Sequence, residues 1–128
     1  MEPKTVNLVL IKDLFIRMRM AALQVHLIHL NTRNAGTHAA LRTWYEEIIP
    51  LVDDVVEKAQ GAQDGARIGY AEGPLPAYTE TNPVALLKSV MDWLDANRAA
   101  LTDRSELQAL VDEIANLTHG VRFMVTLT

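Results

Sequence analysis

Three of the four histidines, His26, His29 and His38, fall within 13 residues. On a helix, His26 and His29 at i,i+3 share a face, and neutral imidazoles suit iron, zinc or copper. Farther along come Asp53, Asp54 and Glu57, with Asp53 and Glu57 one turn apart, a spacing at which two carboxylates can share a metal ion. There is no cysteine, so thiolate sites, zinc fingers of the cysteine type and disulfides are all excluded, leaving nitrogen and oxygen donors.

The elements that carry these residues read as helices throughout. From about 4 to 31 the chain holds strong helix formers with no internal glycine, and Pro3 suits a first-turn position. Its apolar residues occupy more than one face: Val25 and Ile28 continue one stripe, while Leu8, Phe15 and Leu23 lie off it. Such a helix needs cover on two sides, first from its own domain and then from another subunit. A short connection, 31–36, leads to a second helix over about 37–60, which contains Pro50 and is expected to kink there. Residues 61–82 hold four of the six glycines and the pair Pro74 and Pro76. At about 3.3 Å per residue this segment can traverse a bundle about 35 Å long. Asn82-Pro83 opens a third helix to about 100, and Asp103 with Glu106 suggests a capping box for a fourth over about 104–119, ended by Gly120. The expected fold is a single all-α domain over 1–128, an antiparallel four-helix bundle with a long crossover between the second and third helices, the ferritin-like arrangement.

On one straight helix, His38 and the Asp53/Glu57 pair stand about 22 Å apart at 1.5 Å per residue. One chain does not close such a site. Two chains packing their first hairpins antiparallel across a two-fold axis bring the histidine end of one to the carboxylate end of the other.

The stretch from His26 to Lys58 resembles the metal-site region of the Dps family in the ferritin-like superfamily. There, a histidine of the first helix, a histidine of the second and a later Asp-x-x-x-Glu-[Lys/Arg] build an intersubunit ferroxidase centre. Here the pattern reads His26 or His29, then His38, then Asp53-Asp54-Val55-Val56-Glu57-Lys58. The likeness extends to small ferritin-like proteins encoded by tailed phages, which carry the His-x-x-His-Leu-x-Thr and His-x-Ala-Leu-x-x-x-Tyr patterns found at 26–32 and 38–45. It covers about a quarter of the chain closely. The resemblance implies an iron-binding homo-oligomer that pairs through its first two helices, with another divalent metal as an alternative. The family places a carboxylate one turn after the second-helix histidine, and this chain has Arg42 there, a cation that repels iron or neutralises Asp53 or Glu57. Any ferroxidase activity is therefore expected to be weakened. No Glu has His three residues later, so the Glu-x-x-His ligands of di-iron bundles are absent.

The rival reading is a structural or interaction protein, such as a phage virion or accessory component, that keeps the bundle and binds no metal. On that view the histidines pack or stay solvated, His38 stands beside a Thr37 cap, His119 lies at a helix end, and Asp53, Glu57, Asp112 and Glu113 are surface or salt-bridge residues. Trp44, Tyr45 and Trp93 fit core or interface positions. A net charge of −4 and a start, Met1 to Lys4, without a basic arm argue against nucleic acid as a partner and against a DNA-protecting role. The apolar run after Val6 is interrupted by Lys12, Asp13, Arg17 and Arg19, so no membrane span and no signal peptide are expected. The expected location is the cytoplasm, or the host cytoplasm or virion for a phage-encoded chain.

Overall fold

The computed structural model describes residues 4–128; Pro3 and the Met1–Pro3 start lie outside them. Four helices are present: α1 (Leu8–Asn31), α2 (Ala35–Ala62), α3 (Pro83–Leu101) and α4 (Ser105–Thr126). Asparagines cap the first three. Asn7, Asn34 and Asn82 accept from the backbone N–H three residues on, satisfying a donor that the first turn leaves orphaned.

Side chains that meet across the bundle fix its connectivity. Gln63 Nε2 donates to Val6 O, so the end of α2 lies at the start of α1. Asn7 N donates to Leu101 O at 2.9 Å, which puts the end of α3 there too. At the opposite end Gln24 Nε2 donates to Glu80 O, just before α3, and the Thr37 and Thr128 hydroxyls are 2.7 Å apart. Each helix therefore runs antiparallel to its two packed neighbours, α1 beside α2 and α3, and α4 beside α2 and α3. The segment after α2 travels the length of the bundle to reach α3. Gly65, Gly69 and Gly73 along it adopt φ of 81°, 80° and 77°, a left-handed conformation that favours glycine. No helix among the described residues is long and apolar enough to cross a membrane.

The core is assembled at helical spacing. Leu14, Met18, Ala21 and Val25 of α1, Leu41, Ile48, Val52 and Val55 of α2, Leu87, Val90 and Leu94 of α3 and Val111 of α4 are buried in one apolar cluster. Trp44 is fully buried, and its indole N–H donates to Thr118 Oγ1 at 3.0 Å. The Thr118 hydroxyl donates in turn to Ile114 O at 2.8 Å, so both polar groups are satisfied.

Several expected boundaries move. The first helix begins at Leu8 rather than at about residue 4, because Thr5 and Val6 are tied to the turn between α3 and α4. Val6 bridges Thr102, and Thr5 N donates to Asp103 Oδ1 at 2.7 Å. Asp103 is thereby used up, no capping box forms, and the N-cap of α4 is Arg104, with no side-chain cap bond. The second helix starts at Ala35 under an Asn34 cap, which replaces the expected Thr37 cap. It runs on through Pro50, whose ring lies on the exposed side.

The fourth helix continues through Gly120 to Thr126, since Val121 and Val125 extend the buried stripe of Ile114 and Thr118. Packing of those valines outweighs the glycine penalty of about 1 kcal/mol. His119 is consequently an exposed mid-helix residue rather than a terminal one. A Cβ added at Gly120 meets nothing within 4 Å. Gly120→Ala is expected to raise stability by about 0.5–1 kcal/mol, read as a higher urea midpoint with an unchanged slope.

Candidate metal site at the α1–α2 turn

The turn at 32–34 folds the end of α1 onto the start of α2 and brings His26, His29, His38 and Tyr45 together. His29 is 2% exposed, His38 half-buried and His26 exposed. The rings of His29 and His38 stack with centroids 3.5 Å apart and planes 22° apart. Each ring bonds the other residue's carbonyl: His29 Nδ1 lies 2.6 Å from His38 O, and His38 Nδ1 lies 2.8 Å from His29 O. A carbonyl oxygen only accepts, so each Nδ1 carries a proton, and a ring with no second proton has its lone pair at Nε2. A bond of this kind, from Nδ1–H to a backbone carbonyl, fixes the tautomer and orientation of metal-ligating histidines.

His26 stacks on Tyr45 at 4.1 Å and 16°, and stands 5.9 Å from His29 with the planes tilted by 60°. That separation is compatible with two imidazoles holding one ion through bonds of about 2.0–2.1 Å. The stacked His29–His38 pair is not, because ring lone pairs lie in the ring planes and parallel planes do not converge on one ion. Tyr45 was legible only as an apolar-face aromatic; its position two turns after His38 on the same helix is the signal that it joins the cluster.

The carboxylates stay apart from the histidines. Asp53 and Glu57 are exposed, and neither forms an ion pair among the described residues. Asp54 is held by Lys58 at 2.6 Å. No group of three or more His, Asp or Glu side chains that could hold a metal ion occurs among the described residues.

Arg42 is exposed and approaches Glu46 at 4.0 Å, one turn on along its own helix. Asp112 pairs with Arg98 across α3 and α4. The hollow beside His26 and Tyr45, lined also by Arg19, Leu23 and Ile49, is small at about 200 Å³. A larger apolar groove, about 810 Å³, lies elsewhere, between the start of α2 and the end of α4.

Fold and site together define an all-helical four-helix-bundle protein with a histidine cluster at one hairpin end. Residues 29–125 match a family described as a family of unknown function, DUF5856, and the chain belongs to that family. The match begins at His29 and takes in the turn, α2, the crossover, α3 and almost all of α4. Neither a curated protein nor a solved structure matches the chain.

Proposed function

We propose that this chain is a ferritin-like, Dps-like subunit that binds a divalent metal, iron first, at a site shared between copies. The observation carrying the reading is the pair of Nδ1–H···O=C bonds at His29 and His38, which leaves Nε2 as the donor atom on each ring. His26, together with His38, supplies nitrogen; the His29 ring, stacked on His38, does not share its ion. Asp53 and Glu57 of another copy supply oxygen, since within one chain they lie too far along α2. The homo-oligomer forms through α1 and α2, in the cytoplasm or, for a phage-encoded chain, in the virion.

Oxidation of the bound iron is weak on this reading, because Arg42 replaces the carboxylate expected one turn after His38. Being exposed and directed to Glu46, Arg42 removes a ligand rather than blocking the others.

A second reading has an observation of its own. The same reciprocal bonds clip the end of α1 to the start of α2, so the cluster can serve as a turn lock in a structural or interaction protein without metal.

Anaerobic titration of chelator-stripped protein with ferrous iron separates the two. The metal reading expects saturable binding at a fixed ratio per subunit, lost in His38→Ala and in Asp53→Asn/Glu57→Gln, with slow absorbance growth on admitting oxygen. Equal, non-saturating uptake by wild type and both variants would leave the turn lock.

A further inference from the structure

Helix α1 has two apolar faces, and only one is spent on the core. Opposite Leu14, Met18 and Val25, which are buried, stand Leu23, Leu27 and Leu30, exposed at 54%, 45% and 64%. Their 4-3 spacing is that of a helix seam rather than of scattered surface residues. Cations flank the seam: Arg19 on α1 and Arg33 in the turn beyond, both exposed. The only carboxylate of α1, Asp13, is already paired with Arg17 at 3.0 Å. Arg19 and Arg33 have no ion pair among the described residues.

The neighbouring helix carries the opposite sign. Along α2 five carboxylates stand against Arg42 and Lys58. Glu46, Asp53 and Glu57 are exposed, and the last two are unpaired among the described residues.

Pairing α1 with α1 of a second copy would oppose cation to cation, which is unfavourable. An α1-to-α2 contact opposes cation to carboxylate. In a two-fold pair, whatever one copy's α1 meets on α2 of the other is met in return, so a chain bearing both surfaces satisfies both at once.

We propose that two copies of this chain pair with the leucine seam of α1, flanked by Arg19 and Arg33, seated on the acidic outer face of α2 of the other copy at Glu46, Asp53 and Glu57. The proposal rests on the reading that copies associate through α1 and α2, and adds that charge segregation between the two helices, not metal, selects the partner. Leucine burial gives the pair its affinity, and the charge rows set its orientation and its salt dependence.

The test is sedimentation equilibrium of the full chain in chelator. The variants are Arg19→Glu/Arg33→Glu, Glu46→Lys/Asp53→Lys, both sets combined in one chain, and Leu27→Glu. Expected are a wild-type dimer that loosens with added salt, a dissociation constant about tenfold or more weaker for either charge set alone, recovery when the sets are combined, and a monomer for Leu27→Glu. Recovery in the combined variant excludes misfolding as the cause of the single-set losses.

Dimers indifferent to both charge sets, yet broken by Leu27→Glu, would overturn the charge pairing. A wild-type monomer in chelator would overturn the proposal outright. If that monomer dimerises on adding ferrous iron, the metal reading survives while this one fails. If it instead takes up a synthetic acidic amphipathic helix, the seam serves a foreign partner.

Discussion

Trp44→Ala should lower the free energy of unfolding by about 3–5 kcal/mol, a large share of the whole for a domain this size. The indole has no exposure and joins α2 to α4 in mid-bundle, so truncation opens a cavity that the surrounding helices close only in part. The polar end adds a second loss. Trp44→Phe keeps most of the apolar volume but removes the donor to Thr118, and Thr118→Val leaves the indole N–H buried without an acceptor. Each is expected to cost about 1–3 kcal/mol. The double variant, with both polar groups gone, should cost less than the sum of the two. Urea unfolding of the four proteins measures this, and strict additivity would show that the bond contributes nothing.

His29→Ala should cost about 1–3 kcal/mol, and more than His38→Ala. The 2% exposed ring of His29 fills the inside of the turn, whereas His38 is half open to solvent. Each variant removes one of the two ring-to-carbonyl bonds and the 3.5 Å stacking contact. Comparison with iron binding is then informative. A variant that loses metal while keeping its unfolding midpoint marks a ligand, and one that loses midpoint alone marks a lock. Equal midpoints for wild type and His29→Ala would show that the turn does not depend on the cluster.

The four helices and the crossover were legible because apolar residues recur at helical spacing and glycine gathers in one segment. The helix ends were less so. Thr5, Val6 and Asp103 look locally like helix start and helix cap, yet Thr5 bonds to Asp103 and Val6 bridges Thr102 from far along the chain, and no local pattern announces a contact of that range. Gly120 looks like a stop, but the buried stripe continues beyond it through Val121 and Val125. At the site, the nearness of His29 to His38 followed from a short connection, and the remoteness of Asp53 and Glu57 from helical rise alone. The reciprocal ring-to-carbonyl bonds were not readable, because they depend on the Asn34 cap setting where α2 begins. The outward direction of Arg42 depends on side-chain choice, which residue spacing does not encode.

The strap from Gln63 to Asn82 is tied down at few points, such as Ile68 N on Gln60 Oε1 and Glu80 O on Gln24, while the helical hairpins it joins meet along buried faces. The bundle is thus two hairpins whose mutual affinity resides in the core rather than in the tether. Lengthening the tether costs only loop entropy, about 0.6 kcal/mol for a doubling. Insertions there, or a protease cut near Gly73, whose surroundings are open, would leave two complementary halves able to stay together as a non-covalent pair. The strap is therefore the place where new surface can be added without reopening the fold.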